Sequence, residues 1–150
     1  MSVTLMRHAV SKFNEGNTTD KDCDLSQTGV QQANKCIGEF DIVITSGMKR
    51  SRRTLSLSGI VVKKRHIECD LFREMMYGSI CDYLECEDGS YMESEEDVQN
   101  RVRVAKEYLR ILLVQNPNAR ILVITHACFI RRLTGSHDMI NNCQWLTLDV

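Results

Sequence analysis

The sequence lacks any uninterrupted apolar run that approaches the roughly 20 residues needed to cross a membrane. Its opening residues, 1–7, are too short for a signal peptide, because a charge interrupts them at once. It also lacks an excess of charge of either sign, with 19 Lys and Arg against 20 Asp and Glu, and such a balance does not attract nucleic acid. We therefore expect a cytoplasmic protein that binds neither membrane nor nucleic acid.

The seven cysteines lack the paired C-x-x-C spacing of a zinc site or a redox motif, and their odd number favours free thiols. Cys128 is the cysteine best placed for a nucleophilic role, but the ordinary use of such a residue is apolar packing. His8 and His126 could share a metal, yet no carboxylate or further histidine lies at the usual ligand spacing. We predict that the protein uses no metal and no cofactor.

The hydrophobic pattern predicts strands and helices in alternation along 150 residues, a length typical of one domain. Apolar, β-branched runs predict strands at residues 3–6, 41–45, 61–64 and 121–125, with a last strand at 145–150. Amphipathic or basic stretches predict helices at 26–40, 48–58, 95–114 and from after His126 through Leu133. This alternation predicts an α/β three-layer sandwich: a mostly parallel central sheet with helices on both faces, forming a single domain over 1–150.

Basic side chains follow three of the predicted strands. Arg7 and His8 end the first, Arg50 lies at the start of the basic helix after the second, and His126 directly follows the fourth. Ligands of open α/β sheets bind just beyond the carboxyl ends of the strands. Two arginines and two imidazoles at one edge, beside the N–H groups of a helix start, suit a tetrahedral phosphate. The sequence therefore predicts a phosphate site.

The same residues indicate a reaction as well as a site. A neutral imidazole attacks phosphorus, and neighbouring arginines would lower the pKa of His8 and keep it neutral. The leaving alkoxide needs a proton, and Glu74 has apolar neighbours that could raise its pKa toward neutrality.

Five segments, in order along the chain, resemble motifs of the histidine phosphatase, or phosphoglycerate mutase-like, superfamily. M-R-H-A-V-S-K-F-N at 6–14 resembles the opening R-H-G-E-S-x-W-N, and L-S-Q-T-G-V-Q-Q-A at 25–33 resembles L-T-x-x-G-x-x-Q-A. T-S-G-M-K-R-S-R-R-T at 45–54 resembles S-S-P-L-x-R-A-x-Q-T, and F-R-E-M-M-Y-G at 72–78 resembles L-x-E-x-x-x-G. V-I-T-H-A at 123–127 resembles the closing V-V-S-H-G.

The resemblance implies a small, metal-independent phosphatase with a phosphohistidine intermediate on His8. The residues it assigns to catalysis are His8, Glu74, His126, Arg7 and Arg50. Those it assigns to phosphate or substrate binding are Arg7, Ser11, Asn14, Arg50, His126 and Ala127.

Four positions depart from the family motifs. Ala9 and Ala127 replace the glycines after the two histidines, so the backbone there must avoid positive φ. Val10 replaces a glutamate, which leaves proton donation more exclusively to Glu74, and Gly47 replaces a proline.

Three functions stay open at this stage. The first is hydrolysis of phosphomonoesters or phosphoramidates; the second is non-catalytic binding of a phosphate or phosphoprotein; the third is phosphoryl transfer of the mutase type. A mutase must enclose its phosphohistidine under a lid of extra loops so that water does not hydrolyse it. Only residues 51–73 separate Arg50 from Glu74, and only 79–94 separate Gly78 from the long helix, so neither segment has room for a large insertion. We therefore expect a phosphatase acting on a phosphorylated small molecule or a phosphoprotein, with no expectation for its oligomeric state.

The remaining polar residues carry weaker expectations. Residues 80–92 are acidic and are expected to choose the leaving group, favouring a neutral or cationic one. Glu93, Glu95 and Glu96 are expected to be solvated loop charges. His66 and His137 are expected to be buried structural histidines.

Overall fold

Five strands and four helices alternate along the part of the chain that the computed structural model describes, residues 1–20, 22–75 and 93–150. The strands are β1 (Ser2–Arg7), β2 (Ile37–Thr45), β3 (Gly59–Glu68), β4 (Ile121–Thr125) and β5 (Trp145–Asp149). The helices are α1 (Gln27–Lys35), α2 (Lys49–Leu57), α3 (Glu95–Gln115) and α4 (Ala127–Thr134). None of these helices is long and apolar enough to span a membrane.

The strands form one sheet in the order β3-β2-β4-β1-β5, in which only β5 runs antiparallel to its neighbour. β4 is the central strand in this order, and its five residues are all buried, as the unbroken apolar run predicts. Arg7 pairs with Thr125, and Thr45 pairs with Ile124. The residues that follow β1, β2 and β4 therefore emerge side by side at one edge of the sheet.

Helices cover both faces of the sheet, which confirms the predicted α/β sandwich. On one face Leu5 and Val123 share an apolar cluster with Leu109 of α3 and Phe129 of α4. The other face has its own cluster around Met6, Val43 and Leu122, with Leu55 of α2 packed against it. Each face thus buries its own set of strand side chains, which stabilises the sheet that carries the site.

The predicted helix over 26–40 is wrong at its end. Ser26 caps α1 by accepting from the N–H of Gly29, as expected, but the helix stops at Lys35. Ile37 then pairs with Gly59, and Phe40 with Val62, so this stretch belongs to β2. The strand ladder satisfies the backbone there and buries Phe40 in the sheet, which outweighs local helix preference.

Two further expectations about single residues are wrong. Glu93 is buried because its carboxylate pairs with the buried Arg101 of α3. Glu95 and Glu96 lie in the first turn of that helix and not in a loop. His66 and His137 are exposed instead of buried, His66 because it lies on the edge strand β3. The ring of His66 does have a hydrogen-bond partner, since its Nε2 lies 2.7 Å from the hydroxyl oxygen of Thr45. The proposed leaving-group segment, 80–92, lies outside the described residues.

Candidate active site

His8 lies directly beyond the end of β1 and is only 3 % exposed. Its Nδ1 is 2.6 Å from the carbonyl oxygen of Ala9, which can only accept, so Nδ1 carries the proton. The lone pair is then on Nε2, where it accepts from Nε of Arg50 at 3.1 Å. The local backbone thus selects the tautomer that presents a nucleophilic nitrogen toward the arginine.

Arg50 lies in the first turn of α2 and is 1 % exposed. Burial lowers its pKa to about 10, and the negative charge of Glu74 acts in the opposite direction. The guanidinium therefore stays charged at neutral pH, and it is a cation held out of water beside His8.

His126 occupies the N-cap position of α4, with its ring centre 5.1 Å from that of His8. Its Nε2 is 2.7 Å from the hydroxyl oxygen of Ser46. Ser46 can donate to this nitrogen, which would place the proton of His126 on Nδ1. That Nδ1 is buried and has no hydrogen-bond partner within the described residues. A buried polar group in this state is suited to bind an anionic ligand.

Arg7 reaches the same edge from the end of β1. Its Nη1 donates to the carbonyl oxygen of Ile140 at 2.7 Å, which holds the guanidinium in place. Its Nε is buried and has no hydrogen-bond partner in 1–20, 22–75 and 93–150. Burial lowers its pKa, and Glu74 opposes that effect.

Glu74 follows the short 3-10 helix Asp70–Phe72 and is buried against the start of α4. Its carboxylate accepts from the N–H groups of Met75 at 3.0 Å, Cys128 at 3.2 Å and Phe129 at 2.9 Å. Burial raises the pKa of Glu74, while these three hydrogen bonds and Arg50 lower it, with burial the largest effect. The net result is a pKa of Glu74 above its usual value.

The pKa values of the two histidines are shifted downward, opposite to that of Glu74. Burial lowers the pKa of His8 well below its usual value, and Arg50 adds to the effect. Burial and Arg50 lower the pKa of His126 in the same way. Neutral imidazoles and a protonatable carboxyl therefore lie around the buried guanidinium of Arg50 and the half-buried guanidinium of Arg7.

The sequence model of the histidine phosphatase superfamily (branch 1) matches residues 3–148. This chain belongs to that family. Its fold is similar to that of phosphoserine phosphatase from Entamoeba histolytica solved with 3-phosphoglyceric acid, at 21 % identity and a TM-score of 0.71, covering 97 % of this chain and 89 % of that one. A mycobacterial glucosyl-3-phosphoglycerate phosphatase is similar at 16 % identity and a TM-score of 0.66, covering 99 % and 90 %. No curated protein sequence matches the chain significantly.

The residues after His8 form the loop of the family's opening motif. The N–H of Ala9 donates to the hydroxyl of Thr54, and the N–H of Val10 donates to the side chain of Gln32. A methyl group at Gly29 would lie 1.8 Å from the carbonyl oxygen of Val10, so the glycine permits α1 to pack directly on this loop. Neighbouring elements thus hold the loop from two sides.

Ala9 and Ala127 are not among the described residues with positive φ, so alanine fits where the family motif has glycine, as expected. Ala127 is the first residue of α4.

The side chains of Ser11 and Asn14 bind each other's backbone. The N–H of Ser11 donates to Oδ1 of Asn14, and the N–H of Asn14 donates to Oγ of Ser11, both at 3.1 Å. No hydrogen bond joins Ser11 or Asn14 to His8 among the described residues, so their predicted role in binding stays a prediction.

Three supporting residues were missed by sequence reasoning. Ser46 and Thr54 lie within the segment quoted for its arginine, and the strand end and helix start on either side could have drawn attention to them. Asn142 donates to the carbonyl oxygen of His8 at 2.9 Å across 134 positions, and no local signal predicts that contact.

Proposed function

We propose that this chain is a phosphatase that hydrolyses a phosphomonoester through a covalent phosphohistidine on His8, without a metal. The observation that carries the proposal is the tautomer of His8: Nδ1 is bound to the carbonyl of Ala9, and Nε2 faces Arg50. An unprotonated nitrogen, held against a buried cation that can turn its N–H groups to the phosphoryl oxygens, is arranged for attack on phosphorus.

In the first step, the bond between His8 Nε2 and phosphorus forms while the ester P–O bond breaks. Arg7, Arg50 and His126 would hold the phosphoryl oxygens during this transfer. The positive charge of the two arginines and the N–H groups of all three residues replace the water that the buried site excludes. The leaving oxygen takes its proton from Glu74. Since burial raises the pKa of Glu74, its protonated form persists to higher pH than for an exposed glutamate.

In the second step, water attacks the phosphorus and its proton passes to the Glu74 carboxylate. The N–P bond breaks, inorganic phosphate leaves, and His8 and Glu74 return to their starting states. Glu74 thus serves first as the acid and then as the base, and the cycle needs no further reactant.

The test is to incubate the protein with p-nitrophenyl phosphate and to trap the protein-bound phosphate. We expect turnover, with bound phosphate that is labile to acid and stable to base, as a phosphoramidate on imidazole is. Both should be absent in His8→Ala and retained in His66→Ala, whose imidazole is exposed on β3. Acid-stable bound phosphate would contradict the intermediate, and phosphate binding without turnover would favour the non-catalytic binding module.

The natural substrate is proposed to be a phosphorylated small molecule. The amoebal phosphoserine phosphatase was solved with 3-phosphoglyceric acid, and an alanine variant of it with phosphoserine, so these compounds are the first to test. A mutase is distinguished by supplying 3-phosphoglycerate with a trace of 2,3-bisphosphoglycerate. We expect release of inorganic phosphate to be faster than formation of 2-phosphoglycerate, and the reverse would overturn hydrolysis as the function.

A further inference from the structure

Arg101 of α3 is a charged residue outside the five motif segments compared above, yet it is only 7 % exposed. Its guanidinium binds the carboxylate of Glu93 at two points, with Nε to Oε1 at 2.7 Å and Nη2 to Oε2 at 2.7 Å. Such a fork-to-fork pair has a defined geometry as well as a charge. Glu93 lies just before α3, so the pair holds the entry to that helix.

The other donors of Arg101 bind the backbone that carries Glu74. Nη1 donates to the carbonyl oxygens of Leu71 at 3.0 Å and Arg73 at 2.8 Å, and Nη2 donates to that of Glu74 at 3.4 Å. With the two bonds to Glu93, all five N–H donors of the guanidinium have an acceptor. Arg101 therefore has no donor left for a phosphate, because its hydrogen bonds are all made to other residues of the protein.

Arg101 also supports the partner of the Glu74 carboxylate. Its guanidinium carbon lies 4.3 Å from the ring centre of Phe129, whose N–H donates to Oε1 of Glu74 at 2.9 Å. One side chain thus contacts the main chain at Glu74 and the residue that holds its carboxylate.

From these contacts we propose that Arg101, fixed by Glu93, is the residue that positions Glu74 for proton donation. The inference rests on the proposed function, in which Glu74 is the acid. A buried ion pair adds little net stability compared with apolar packing, so stability alone does not account for it. Lysine has one cationic centre with three donors and cannot reproduce a planar array that serves five acceptors. Losing the array would let the Glu74 segment shift, and a misplacement of about 1 Å can cost on the order of 10²-fold in rate.

The experiment compares two aryl phosphates that differ in their need for an acid. Phenyl phosphate has a poor leaving group that requires a proton, whereas 2,4-dinitrophenyl phosphate has one that departs as an anion. Because kcat/KM reports the steps through phosphoryl transfer to His8, it isolates the step in which Glu74 acts. In Arg101→Lys we expect kcat/KM for phenyl phosphate to fall about 10- to 100-fold and that for the dinitrophenyl ester to change by less than about threefold.

Glu93→Gln is the second variant, because it keeps the shape of the pair and leaves the backbone acceptors of Arg101 in place. It should show the same selectivity between the two esters, and it covers the case in which Arg101→Lys does not fold, as judged by circular dichroism. Arg103→Lys is the matched control on the exposed face of α3 and should leave both rates unchanged. An equal loss on both esters in either folded variant, or no loss on either ester, would overturn the positioning role.

The two proposals fail in different ways. If the unaltered protein neither hydrolyses 2,4-dinitrophenyl phosphate nor forms phosphohistidine, the proposed function fails and this inference fails with it. If the unaltered protein does both and the Arg101 and Glu93 variants show no selectivity between the esters, only the positioning role is overturned.

Discussion

Replacing Arg50 with methionine tests the electrostatic centre of the site. The side chain is 1 % exposed, and its Nε lies 3.1 Å from His8 Nε2, so the variant removes one buried cation while keeping most of the side-chain volume. Loss of one preorganised donor to a transferring group costs about 10²- to 10³-fold in kcat, or about 2.7–4 kcal/mol. We therefore expect kcat/KM for p-nitrophenyl phosphate to fall by about 10²-fold or more.

The same variant should not unfold the protein. Burial lowers the pKa of Arg50 from 12.5 to about 10, which corresponds to on the order of 3 kcal/mol against holding the cation in this position. Removing that charge relieves the cost, so we expect a melting temperature that is unchanged or higher. Thermal unfolding by circular dichroism measures this directly and separates a catalytic loss from a folding loss.

Arg50→Met should also change the pH dependence. The positive charge of Arg50 is, after burial, the largest effect lowering the pKa of His8. Without it the pKa of His8 rises, and because only neutral His8 attacks phosphorus, the acid limb of kcat/KM moves to higher pH. Arg53→Met, an exposed position on the same helix, is the control and should change neither rate nor limb. A rate loss below about threefold with an unmoved acid limb would remove Arg50 from the phosphate site.

Three other changes test separate parts of the site. Gly29→Ala should lower the free energy of unfolding, measured by urea titration, by on the order of 1–3 kcal/mol, because the new methyl group would clash with the Val10 carbonyl. The control Gln31→Ala, on the exposed face of the same helix, should leave the free energy of unfolding unchanged. Glu74→Gln should lower kcat/KM for phenyl phosphate and remove the fall in rate at alkaline pH, since burial raises the pKa of the acid that titrates there; an unchanged alkaline limb would require another acid. Activity should persist in EDTA because the positive charge comes from side chains, and a full loss restored by zinc or magnesium would contradict the mechanism.

Local patterns in the sequence were enough to predict the sheet and the residues at its edge. The apolar run of β4 and the N-cap Ser26 signal were confirmed, and the order of strands and helices led to the correct fold class. Arg7, His8, Arg50 and His126 could be placed together because each follows or adjoins a strand end, and parallel strands bring such ends to one edge. Their catalytic roles and the single-domain organisation stay predictions.

Tertiary structure decided what depends on contacts between distant parts of the chain. Pairing with β3 extended β2 into the stretch predicted as helix, and packing buried Glu93 beside Arg101. The environment of Glu74 arises where its carboxylate meets the start of α4, more than 50 positions away. A sequence indicates which side chains can carry chemistry, but their burial, tautomers and pKa values depend on neighbours that only the folded chain brings within hydrogen-bond distance.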